Sequence, residues 1–310
     1  MLMRVTMPAF SPKPTRSYNV RSISFPARSH PNIGRIEKEL NKLSSWEASS
    51  VNAERICARL SALGEIYRCI EDLLNLPLTQ QALSQNQEEK WVGEMLDNLI
   101  RYLDVCGNTR DGILLMKESV RELQSAIRRS KGGGELSIES NVNDYIFCRK
   151  KMKKEAEKSL ASLKQKDSVF LESSLLNDHY LSAIVKALSE ASWMTISIFS
   201  SLLLFLSVPI LKPKPSKWSL LSKLVHKGAV ACEGQQENKN ELENVDLALT
   251  SLLVTNTRKD LEPQKIQAAQ KMLEILDISI EELENKLECL FRNLIHTRVS
   301  LLNILSHPLE

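Results

Sequence analysis

In "IQAAQKMLEILDISIEELENKLECLFRNLIHTRVSLLNI", residues 266–304, apolar side chains recur with the period of a long helix. Ile266, Ala269, Leu273, Leu276, Ile280, Leu283, Leu287, Leu290, Leu294, Thr297, Leu301 and Ile304 alternate spacings of three and four, a heptad seam held for more than five heptads. Pro263 lies just before the pattern and Pro308 just after it. Each fully buried Leu or Ile on such a seam contributes roughly 1.5 to 3 kcal/mol before ordering entropy is subtracted, so the helix must pack against something. Two arrangements satisfy it: the seam folds back on helices of its own chain, or it self-associates as a coiled coil.

The rest of the chain is poor in helix breakers. It has ten Gly and eleven Pro, and no Pro between Pro77 and Pro209. Long uninterrupted helices fit that interval, and the expected fold class is all-α: a helical bundle of long antiparallel helices with a C-terminal coiled-coil-like helix. Ile36, Leu40 and Leu43 share one face of a first helix, and Ile56, Leu60, Leu63, Tyr67, Ile70 and Leu74 recur at helical spacing in a second. Pro77 ends that helix and opens a short one, "PLTQQALS". Gly107 then reads as a C-terminal cap between "EEKWVGEMLDNLIRYLDVC" and "TRDGILLMKESVRELQSAIRR", which predicts two antiparallel helices joined by a short turn. After the glycines 132–134, which lack the Lys-Ser/Thr of a phosphate loop, "NVNDYIFCRKKMKKEAEKSLASLKQK" reads as one charged helix. The expected organisation is a disordered basic Ser/Pro-rich tail at 1–31, a bundle core at 32–211, a linker and polar loop at 212–241, and a C-terminal helical unit at 242–310 packing on the core.

Charge and cysteine usage exclude several function classes. The net charge is +3, and the six basic residues of positions 1–36 meet no acid there, so the remainder sums to minus three. No global basic field or aromatic-basic interleaving asks for nucleic acid. Cys57, Cys69, Cys106, Cys148, Cys232 and Cys289 stand singly, as free thiols of a reducing compartment do, and neither a metal nor another cofactor is expected. The five histidines are isolated and no Ser sits in a G-x-S-x-G turn, so the chain reads as a non-enzyme without catalytic residues.

Three segments carry functional candidates. "CRKKMKKEAEK" places Arg149, Lys150, Lys151, Lys153 and Lys154 within six positions, a basic patch suited to acidic lipid headgroups or nuclear import. Pairing of Lys151 with Glu155 and of Lys153 with Glu157 would instead make it a solvated helix face. "ASWMTISIFSSLLLFLSVPIL", residues 191–211, has no charge and the length of a membrane span, with Trp193 and Trp218 as candidate interface markers. Its six hydroxyls and Pro209 favour the other reading, a helix buried at the centre of a soluble bundle. In "RSISFP", Arg21 lies three before Ser24 and Pro26 two after it, the layout of an arginine, phosphoserine, proline peptide that 14-3-3 proteins bind. An acid-free, Arg- and Ser-containing start is also transit-peptide composition, so a cytoplasmic location stands beside membrane-associated and plastid alternatives.

"VRSISFPARSHP", "LLNLPLTQQALS", "EKWVGEMLDNLIRYLDVCGNTRDGILLMKE", "SAIRRSKGG", "RKKMKKE" and "LECLFRNLIHTRVSLLNILSH" resemble, in order, the signature blocks of a plant-specific family of unknown function related to the BYPASS proteins. The resemblance runs from about Tyr18 to His307. It implies a regulatory or adaptor protein rather than an enzyme, with a role in root and shoot development, where BYPASS proteins restrain a mobile root-derived signal. Because the resemblance begins inside "VRSISFPARSHP", it favours docking over a cleaved address for that stretch.

Overall fold

The computed structural model describes residues 31–45, 52–130, 138–164, 178–210, 239–255 and 263–306. The tail expected at 1–31 therefore lies outside the described residues except for Pro31, as do Gly132 to Gly134 and the loop from 212 to 238. Eight helices and no strand are present among the described residues: α1 (Pro31–Ser44), α2 (Ala53–Leu74), α3 (Pro77–Gln85), α4 (Lys90–Ser130), α5 (Ile138–Lys164), α6 (His179–Leu206), α7 (Glu241–Thr255) and α8 (Pro263–Ser306). The fold is all-α.

Local chemistry sets several of these boundaries. Asn52 caps α2, its side chain accepting the Arg55 N–H at 3.0 Å, and Asp178 caps α6 by accepting the Tyr180 N–H at 2.8 Å. At the start of α7, Asn240 and Glu243 form a reciprocal capping box with both bonds at 2.9 Å. Prolines occupy the first turn of α1, α3 and α8, where the missing N–H costs nothing. α6 stops at Ser207, two residues ahead of Pro209.

The expected break at Gly107 is absent: Lys90–Ser130 is one helix of 41 residues. The buried positions Val92, Met95, Leu99, Tyr102, Cys106, Thr109, Ile113, Met116, Val120, Leu123 and Ile127 run through it at alternating spacings of three and four with no change of phase. A turn at Gly107 would throw half of that stripe out of register with its neighbours, so packing outweighs the intrinsic preference of glycine. The Thr109 hydroxyl donates back to the Val105 carbonyl at 2.6 Å, and Gly107 lies inside the helix near Phe291.

All twelve positions of the C-terminal seam are buried along α8. They pack within the chain, chiefly on α4, α2 and α7. Polar contacts give the directions. Arg110, Lys117 and Arg121 of α4 meet Glu288, Glu284 and Asp277 of α8 in descending order, so the two helices are antiparallel. α8 runs parallel to α2, where Asn293 donates to the Gly64 carbonyl at 3.1 Å and His296 approaches Glu71 at 3.5 Å. One contiguous core takes in buried side chains from all eight helices, so α7 and α8 close the same core that α1 to α6 begin.

Candidate functional site

α5 carries its own seam, Ile138, Val142, Tyr145, Arg149, Met152, Ala156, Ser159 and Leu163, all buried. Arg149 occupies a core position on it and is fully buried. Its guanidinium donates to the Leu206 carbonyl at 3.2 Å, to the Val208 carbonyl at 3.3 Å and to the Asp246 carboxylate at 3.3 Å. The Tyr145 hydroxyl, one turn earlier, donates to the other Asp246 oxygen at 3.1 Å. Burial pushes Asp246 above the usual carboxylate range, against the pull of Arg149 and Tyr145. Burial and the Asp246 charge together push the Tyr145 phenol far up. The cluster satisfies the last carbonyl of α6, at Leu206, and that of Val208 just past it, and fixes α7 to α5, which makes it a three-helix tie.

The basic patch read from the sequence is corrected in one member. Arg149 points into the core because it falls on the seam, whereas Lys150, Lys151 and Lys154 are exposed and Lys153 is half-buried. Lys153 pairs with Glu157 at 3.7 Å and Lys158 with Glu155 at 2.8 Å.

Four hydroxyls of α6, those of Ser192, Thr195, Ser197 and Ser201, are also committed. Tyr67 and Thr195 share a hydrogen bond at 2.8 Å, Tyr102 and Ser192 share one at 2.5 Å, and Arg59 donates to Ser201 at 3.0 Å and to Ser197 at 3.2 Å. These bonds run to α2 and α4, and the Tyr67 and Tyr102 phenols are pushed up by burial. By length and composition α6 is long and apolar enough to cross a membrane, and half of its most apolar window is buried inside the chain. Trp193 and Leu204 stand out from its open side, each more than half exposed.

Other candidates are poorer. A shallow groove of about 800 Å³ between α4 and the start of α5 is lined by Lys117, Glu118, Arg121, Glu122 and Arg129, of which Lys117 and Arg121 are already paired across to α8. No group of three or more His, Cys, Asp or Glu that could hold a metal occurs among the described residues. Burial pushes the Cys57 and Cys106 thiols up to about 12, so both stay protonated, while Cys289 is exposed. Ser24, Arg21 and Pro26 lie outside the described residues.

The sequence reading missed the Arg149–Asp246 pair, whose partners are 97 residues apart. The available signal was the phase of Arg149 within the seam Val142, Tyr145, Arg149, Met152. Residues 59–304 match a family model described as Protein BPS1. No curated protein and no solved structure matches.

Proposed function

Since the chain belongs to the BPS1 family of BYPASS-related proteins, we propose that it acts by binding, as a non-enzymatic regulator or adaptor in root and shoot development. The observation that carries the reading is how the interior polar groups are used. Arg149, Asp246 and Tyr145 join α5, α6 and α7, and Arg59, Tyr67 and Tyr102 hold α6, so these side chains serve architecture. Recognition then belongs to the surface of a rigid bundle and to the segment around Ser24, which supplies a phosphoserine peptide for a 14-3-3 groove. A cytoplasmic location fits this work. The test is complementation: plants lacking the chain should show altered root and shoot growth that the wild-type chain restores. Normal growth in its absence removes the developmental role. Unchanged 14-3-3 binding by a Ser24→Ala variant removes that partner.

A second reading, a membrane-associated protein anchored through the hydrophobic segment 191–211, whose helical part ends with α6 at Leu206, is favoured by the apolarity of α6 and by exposed Trp193 and Leu204. Alkaline carbonate extraction separates the two: an anchored chain stays with the membrane and a bundle is released.

A further inference from the structure

The side of α5 opposite its seam has an unusual composition. At about 100° per residue, Phe147, Lys150, Lys151, Lys154 and Lys158 fall within roughly one third of the helix circumference. Phe147 is 68 % exposed, second only to Ile278 among the large hydrophobic side chains of the described residues. Lys150, Lys151 and Lys154 form no ion pair among the described residues. Asp144, Glu155 and Glu157 lie toward the edges of the stripe, where Glu155 and Glu157 engage Lys158 and Lys153.

We propose that this outer face of α5 docks the chain on an anionic lipid surface, with Phe147 entering the headgroup layer and Lys150, Lys151, Lys154 and Lys158 lying against its phosphates and carboxylates. Charge complementarity selects an anionic partner, and the aromatic ring at the head of the stripe selects an interface with an apolar layer beneath it. The one arginine of the basic run, Arg149, is withdrawn into the core. What remains outside are lysines, point charges on flexible stems that suit a fluid, disordered headgroup layer rather than the bidentate geometry of a fixed phosphate site. From Phe147 to Lys158 the stripe is about 16 Å long, so it lies along a bilayer surface and does not enter it deeply. The contact is electrostatic and reversible, independent of any insertion of α6.

The experiment is sedimentation of the full-length chain with phosphatidylcholine vesicles, with and without about 30 % phosphatidylserine. Binding is expected only to the anionic vesicles, weakening steeply with salt. The triple variant K150Q/K151Q/K154Q is expected to lose about five-fold per lysine, on the order of a hundred-fold altogether. Phe147→Ala is expected to weaken binding several-fold with the salt dependence unchanged. All four side chains are exposed, and circular dichroism checks that the helices are intact. Equal binding of the triple variant overturns the proposal and assigns the contact to the basic residues before Glu37. Binding that resists salt and alkaline carbonate overturns it in favour of α6, as does retention on polyglutamate or duplex DNA without vesicle binding in favour of another acidic partner.

Discussion

The Arg149 guanidinium donates to the Asp246 carboxylate at 3.3 Å with the two side chains 0 % and 2 % exposed, which joins α5 to α7 inside the core. A buried pair of this kind adds little over a well-packed apolar pair, yet loss of one partner strands the other charge away from water. Asp246→Asn or Arg149→Met should each cost about 3 to 5 kcal/mol in urea unfolding. The double variant should cost clearly less than the sum. Additivity within about 0.5 kcal/mol would show that the two groups do not interact.

Gly107 lies inside a continuous helix beside Phe291, whose nearest ring atom is 3.9 Å from where a Cβ would stand. Gly107→Ala should therefore stabilise the chain by about 0.5 to 1 kcal/mol, read as a raised urea midpoint. A turn with glycine in the left-handed region would give the opposite sign.

The seam of α8 was readable because an unbroken pattern over more than five heptads has few alternative foldings, and every position on it is buried. Gly107 misleads because its local capping preference points to a helix end, while the stripe from Tyr102 through Cys106 and Thr109 to Ile113 passes the glycine in phase. Arg149 misled because four lysines follow it within five residues, and composition hides one seam position among surface ones. No local pattern announces Asp246 as its partner, since packing alone brings α7 to α5.

Cys57 and Cys106 connect stability to alkaline pH. An unfolded thiol ionises near its ordinary value of 9.0, while burial holds both thiols protonated up to about 12 in the folded chain. Between those values the folded state binds more protons than the unfolded one, so stability falls as pH rises through that window and is unaffected below it. Cys57→Ala and Cys106→Ala should each flatten the alkaline loss in urea midpoints. Thiol labelling of the native chain should modify exposed Cys289 and spare both buried thiols until unfolding.

Leu287 is fully buried on the α8 seam beside Cys106, whose thiol lies 3.4 Å from the Leu287 carbonyl. Leu287→Ala should cost about 2 to 5 kcal/mol in unfolding free energy. A cost below about 1 kcal/mol would place the side chain at the surface.

α8 seals its own bundle rather than a second copy. The most direct measurement is the urea midpoint across a roughly hundred-fold range of chain concentration, with the mass from sedimentation at each end. A self-sealed bundle predicts one midpoint throughout and the monomer mass of 35.1 kDa. A midpoint that climbs with concentration, together with twice that mass, would mean that the seam from Ile266 to Ile304 is shared between two chains and that the packing described for α2, α4 and α8 is wrong.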